Sequence, residues 1–198
     1  MAEETTLASH NERDRFLALV LANRWNAIVL ERTAQLGVTD WWLTAGCIAQ
    51  SVWNGLYGRQ PDHGILDYDI FYFDPDTSWA AEDKVIRAAA KIFADLPISV
   101  QIRNQARVPL WYEEKFGTPF PPVEAASDGI GQFPCATVAV GVRRDGDSLR
   151  IHAPFGLALL LGGELIPNPA LPIPDVYGAK TGRWRKVWPE LVVAPWPE

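Results

Sequence analysis

Asp67 and Asp69 stand two residues apart within Leu66-Asp67-Tyr68-Asp69-Ile70-Phe71-Tyr72-Phe73, the strongest strand signal in the chain. Side chains alternate along a strand, so both carboxylates project from one face near one end of it. Like charges side by side repel, and Asp is depleted in strands, so the pair calls for open water or for a compensating cation. Phe71 and Phe73 continue the same face, which argues for burial and hence for the cation. Hard divalent ions such as Mg²⁺ take one or two carboxylates together with water and substrate phosphate. Gly46 supplies a second signal, at the head of a helix that directly follows a short strand. A helix N-terminus presents unpaired N–H groups to an anion, and glycine lets a phosphate approach closely. Together these residues describe a phosphate-and-metal site with Asp67 and Asp69 as metal ligands.

The elements that must position them follow from periodicity. Ser9-His10-Asn11-Glu12 has the spacing of a capping box, and Leu17, Val20, Leu21, Trp25, Ile28 and Val29 recur at helical spacing, predicting one long first helix that ends at Gly37. Residues 41–44 read as a short buried strand and residues 46–58 as a second helix. A loop over 59–64, carrying His63, leads into the Asp-bearing strand over 66–73, which Asp74-Pro75-Asp76 stops. Residues 79–96 are helical in pattern, Pro97 ends them, and a strand is expected over 98–103. Beyond Gly117, Thr118-Pro119-Phe120-Pro121-Pro122 is a stiff connector. Residues 136–143 and 149–152 flank Asp145-Gly146-Asp147, which has hairpin chemistry. Lys180, Arg183, Arg185 and Lys186 form the dense basic cluster, interleaved with Trp184 and Trp188. Two readings of it stand: a solvated tail helix, or a guide for an acidic or nucleic-acid acceptor with Trp184 as a stacking surface.

Trp41-Trp42-Leu43-Thr44-Ala45-Gly46-Cys47, Val52-Trp53, Asp67 to Asp74 and Asn104-Gln105-Ala106-Arg107-Val108 resemble a bacterial nucleotidyltransferase-like family within the polymerase-β-like nucleotidyltransferase superfamily. The similarity continues through Leu110-Trp111-Tyr112, Phe116-Gly117, Ala153-Pro154-Phe155-Gly156-Leu157 and Pro167-Asn168, so it covers nearly the whole chain. It implies an α/β (α+β) fold, a small mixed sheet flanked by helices, with a nucleotidyltransferase-like core over about 12–117 and a C-terminal β-hairpin extension over 118–198. The implied activity is Mg²⁺-dependent or Mn²⁺-dependent transfer of a nucleoside monophosphate from a nucleoside triphosphate to an unidentified hydroxyl acceptor. Asp67 and Asp69 would hold the metal, Gly46 and Cys47 would lie by the phosphates, and Arg103, Asn104 and Arg107 would contact the nucleotide.

A third carboxylate is expected three positions before Asn104, where this chain has Gln101. An amide can offer a carbonyl oxygen to a metal but cannot accept the hydroxyl proton or balance a second Mg²⁺. Cys47 also stands where a serine is common, and Pro109 where the family tends to carry His. These departures motivate a second reading, a catalytically inactive nucleotide- or ligand-binding module that retains the scaffold.

Composition narrows the field further. The 198 residues suggest one domain, and 48% hydrophobic against 21% charged residues excludes a disordered chain. A net charge of −6 argues against dedicated DNA binding, which needs a basic surface. Cys47 and Cys135 are far apart, so neither a disulfide framework nor a thiolate metal site is read from them. The first fifteen residues are polar and acidic, and the most apolar stretch, 153–161, is too short to cross a bilayer, so a cytoplasmic protein without membrane partners is expected. The nine tryptophans are read as packing anchors.

Overall fold

The computed structural model describes residues 2–197, with side chains from Asn11 onward. Helix α1 (Ala2–Ala22) begins well before the expected capping box, because no glycine or proline interrupts residues 2–9, and Ser9 lies inside it. The long first helix is also broken. Asn23 leaves helical geometry at φ −78° and ψ 103° and caps α2 (Arg24–Thr33), its side chain accepting from the Trp25 amide. Asparagine competes with the helix for its own backbone, which a purely apolar periodicity does not register. A 3₁₀ turn and left-handed Gly37, at φ 71°, then lead to β1 (Trp41–Thr44).

The remaining order is α3 (Gly46–Leu56), β2 (Tyr68–Tyr72), α4 (Trp79–Ile92), β3 (Val100–Asn104), α5 (Pro109–Phe116), α6 (Ala126–Gly131), β4 (Gly141–Asp145), β5 (Ser148–His152), α7 (Ala158–Gly162), β6 (Glu164–Leu165), α8 (Pro174–Val187) and β7 (Val192–Val193). The central sheet runs β3-β2-β1-β4-β5, with β2 and β3 parallel and the other neighbours antiparallel. A parallel pair needs a crossover, and α4 supplies it. The hairpin expected in the second half is present, turning at Gly146 with φ 58°. Its first strand starts at Gly141 because residues 136–138 form a 3₁₀ turn, and β4 pairs directly with β1, so the sheet is continuous across both halves of the chain. β6 and β7 form a separate two-stranded ladder.

The sheet has two unlike faces. Leu43, Ile70, Ile102 and Val142 point to one side, where Phe16, Val20, Val29, Ile48, Val52 and Phe93 from α1 to α4 pack on them in one continuous core. Burial of each such side chain contributes roughly 1.5–3 kcal/mol. Trp53 of α3 is fully buried and meets Trp184 and Trp188, each with ring centroids at 5.5 Å. This cluster joins α8 to α3, and Trp188 also donates its indole N–H to Asn54 at 2.8 Å. Trp184 is 4% exposed, so of the readings offered for it the packing anchor holds and the stacking surface does not: Trp184 of α8 and Trp188 just past its end bury their apolar area against Trp53. No helix among the described residues is long and apolar enough to cross a membrane.

Candidate active site

Backbone register alone brings the predicted residues together. Asp69 of β2 lies opposite Thr44 of β1 on one side and Gln101 of β3 on the other. The strand begins at Tyr68 rather than at residue 66, because β1 turns away after Thr44 and leaves residues 66 and 67 without a partner on that side. Asp67 therefore sits at the strand's entrance, on the same face as Asp69, and accepts a hydrogen bond from Gln101 Nε2 at 3.3 Å. The amide in the third position serves as a donor to the first carboxylate.

Asp69 is in the less comfortable position. Burial and the neighbouring Asp67 charge push its carboxyl up from the ordinary value to about 6, and Lys180 and Arg103 offset only part of that. Its side chain accepts no hydrogen bond among the described residues. Lys180 comes from α8, carried there by the Trp53–Trp184–Trp188 packing, and burial together with Arg183 lowers its pKa while Asp69 and Asp67 act in the opposite sense. One member of the basic cluster thus lies near enough for its charge to act on the two carboxylates, without an ion pair to either among the described residues.

On the Asp67 side lies the N-terminus of α3. β1 runs antiparallel to β2, so the chain leaves Thr44 toward the Asp67 end before Gly46 opens the helix. The amides of Gly46, Cys47 and Ile48 have no intrahelical acceptor. Ala45, which precedes them, is held at φ 62° and ψ −139°, the one non-glycine residue at positive φ among those described. Such a conformation costs on the order of 1–3 kcal/mol and persists only where the surroundings enforce it. A buried polar set fixes the first turn of α3 that follows it. Asn26 donates to Ser51 Oγ at 2.9 Å and to the Cys47 carbonyl at 3.4 Å, Asn23 donates to Ser51 Oγ at 3.0 Å, and Ser51 Oγ donates to the Cys47 carbonyl at 2.7 Å. Ala45, Asn23 and Asn26 carried no functional signal in sequence beyond the presence of two asparagines in an apolar helical pattern.

Cys47 itself is fully buried, its thiol donating to the Thr44 carbonyl at 3.2 Å. Burial raises its pKa well above the usual thiol value, and Asp69 and Asp67 add to the effect. Only its backbone amide faces the helix N-terminus. Gln50, one turn on, folds back until its amide nitrogen stands 2.7 Å from where a β-carbon on residue 46 would be, so Gly46 makes room for that side chain. Gln50 Oε1 is buried and unpartnered among the described residues, a feature the sequence analysis did not anticipate.

The polar run after β3 behaves differently. Asn104 is buried and its amide is saturated: Oδ1 accepts from the Asp74 and Ala106 amides, and Nδ2 donates to the Asp74 and Asp76 carbonyls. Its backbone N–H donates to Glu82 Oε1 at 3.0 Å, and Glu82 Oε2 pairs with Arg107 Nε at 2.8 Å. Arg107 also donates to the Thr77 carbonyl and lies over the Trp79 ring at 5.5 Å. Asp74 accepts from the Asp76 amide as a strand stop. Pro109 opens α5, where its missing N–H has no partner to lose. Arg103 is exposed on the Asp69 face, one Nη spent on the Ile102 carbonyl. His63 lies outside this arrangement, its ring 6.4 Å from Trp188.

Beyond Arg103 the same face of the sheet opens into a cavity of about 670 Å³ under α5, α6 and the start of α8. Phe71, Trp79, Trp111, Tyr112, Phe120 and Phe133 contribute to its walls.

A strand–turn–helix unit with a strained turn, followed by a strand bearing two carboxylates on a mixed sheet, defines a nucleotidyltransferase fold. The profile of a family described as nucleotidyltransferase matches residues 31–193, and the chain belongs to that family. A solved NMR structure, whose description says that it reveals a CCA-adding enzyme head domain, is similar over 90% of this chain and 95% of its own, at 23% identity and a TM-score of 0.72. That likeness shows the fold. No curated protein matches the sequence.

Proposed function

We propose that the protein transfers a nucleoside monophosphate from a nucleoside triphosphate to a hydroxyl acceptor, with Mg²⁺ or Mn²⁺ held by Asp67 and Asp69. The observation that carries this reading is Asp69: a half-buried carboxylate, raised to about 6, placed beside a second carboxylate with no hydrogen-bond donor of its own among the described residues. No group of three or more His, Cys, Asp and Glu side chains that could hold a metal occurs among the described residues. Two adjacent carboxylates nevertheless suit a hard cation that keeps water and phosphate as its other ligands. The Gln101 carbonyl oxygen is a further ligand if its amide turns from Asp67.

Bound there, the metal would neutralise charge developing on the phosphoryl oxygens. The protein's own part is positional. The α3 N-terminal amides and the Gln50 amide cradle the β- and γ-phosphates, and Lys180 and Arg103 complement the remaining negative charge. The acceptor oxygen bonds to the α-phosphorus as the bond to the bridging oxygen of the β-phosphate breaks. Pyrophosphate leaves, and the hydroxyl proton passes to Asp69 and then to water.

Thermal denaturation with each of ATP, GTP, CTP and UTP, with and without Mg²⁺ or Mn²⁺, tests the reading. A ligand at one hundred times its Kd adds about 2.7 kcal/mol, which is roughly 5–10 °C for a chain of this size. The expected result is a metal-dependent rise that Asp67→Asn abolishes. No rise with any nucleotide would overturn the proposal. The hydrogen bond from Gln101 to Asp67 favours a second reading, a nucleotide-binding module without turnover. Metal-dependent binding without pyrophosphate release in the wild type, and release gained by Gln101→Glu, would establish it.

A further inference from the structure

We infer that the 670 Å³ cavity is the acceptor subsite and that it takes a small molecule with a flat apolar body and a hydroxyl group; this rests on the transfer reading above. The volume lies in the range that holds drug-sized ligands, and the walls combine aromatic rings with a few polar groups, as such sites do. Trp79 and Trp111 line the cavity while remaining 62% and 42% exposed. Large aromatics left in water at the rim of an apolar cavity gain area when a planar ligand enters.

Sheet register fixes which substrate belongs there. The α3 N-terminus lies beyond the Asp67 end of the carboxylate pair, while the cavity begins at Phe71 and Arg103, one pair further along β2 and β3 in the opposite direction. Two residues of strand amount to about 6.6 Å, the scale of a phosphoryl group with its apical oxygens. In-line displacement places the attacking oxygen opposite the departing pyrophosphate. With the pyrophosphate at the helix N-terminus, the acceptor enters from the Phe71 side. Its oxygen forms the new bond to the α-phosphorus, the bond to the bridging oxygen breaks so that pyrophosphate departs toward α3, and the hydroxyl proton passes to water. Arg103 and Lys180 both line the cavity, and Arg103 lies one pair along β3 from Gln101 on the Asp69 face, so the positive charge stands at the junction of the two subsites. Arg107 and Glu82 at the wall neutralise each other and add no net charge.

The probe is 1-anilinonaphthalene-8-sulfonate, a flat apolar anion, read by fluorescence and calorimetry on the full chain. One saturable site is expected on the folded protein, unaffected by Asp67→Asn. Affinity should fall tenfold or more in Trp111→Ala, an exposed rim substitution, and in Val176→Trp, which fills the cavity. The magnesium complexes of the four nucleoside triphosphates should leave the probe bound, giving a ternary complex. Absence of saturable binding, or equal affinity in Trp111→Ala, would overturn the assignment of the cavity. Stoichiometric displacement of the probe by a nucleotide would overturn its role as acceptor subsite, because the nucleotide would then occupy it. Probe binding in a protein that binds no nucleotide would separate the two failures: the transfer reading and the acceptor role fall together, and the cavity survives as a site.

Discussion

Two polar clusters flank the central parallel pair, and they are built on opposite terms. Around Asn104, the amide side chain has a partner for each donor and acceptor, the buried Glu82 carboxylate satisfies both the Asn104 backbone N–H and Arg107, and the β2–α4 turn is locked to β3, with the buried Tyr72 hydroxyl the one polar group of the cluster left unpartnered among the described residues. Around Asp69, two carboxylates face one another, an alanine is held at positive φ, and the Gln50 carbonyl oxygen is unpartnered among the described residues. The first cluster has the form of a structural network, since buried polar groups are normally satisfied. The second holds strain and repulsion that folding alone does not require, which is where sites for charged ligands are found. The difference also separates residues that the family motif runs together, because Arg103 belongs with Asp69 while Asn104 and Arg107 belong with Glu82.

Substitutions in the two clusters should therefore move stability in opposite directions. Glu82→Gln should give the largest effect, a loss of about 3 kcal/mol or more, because it leaves a partly buried guanidinium without its countercharge. Urea denaturation reads this directly, and a loss below about 1 kcal/mol would mean that the network is not the structural one. Asp69→Asn should instead stabilise the protein at pH 7 by about 1–3 kcal/mol. The folded-state carboxyl titrates near 6, above its unfolded value, so the native state holds the extra proton between about pH 4 and 6. Wild-type stability is therefore lost as pH rises through that window, and the advantage of Asp69→Asn should vanish at pH 4. A pH-independent difference would point to packing rather than charge. The smallest effect is expected from Ala45→Gly, a gain of about 1 kcal/mol and roughly 2–4 °C in Tm, since glycine adopts this backbone conformation without a β-carbon clash. A lower Tm would show that the turn is relaxed and that strain is confined to the carboxylates.

Much of this was legible in the chain. The alternation of 66–73 put Asp67 and Asp69 on one face, Gly46 marked a helix start, and Pro97 and Gly146 marked an end and a turn, because these depend on local spacing and on backbone restrictions of single residues. The break at Asn23 was missed because a cap competes with helical periodicity at one position only. Trp184 packs as an anchor, as expected of the tryptophans, but its partner, Trp53, lies more than a hundred residues away and could not be read from local spacing.

The sequence by itself determined the paired carboxylates, the strand–glycine–helix unit and the family, all carried by residue types at short spacing. Tertiary structure alone decided which polar residues were free to act. It placed the charge of Lys180 within range of Asp69 through the burial of two indoles against a third, gave Asn104 four backbone partners, and opened an aromatic cavity on the far side of the carboxylates. Satisfaction and burial are properties of contacts between distant segments, and they arise only when the sheet assembles.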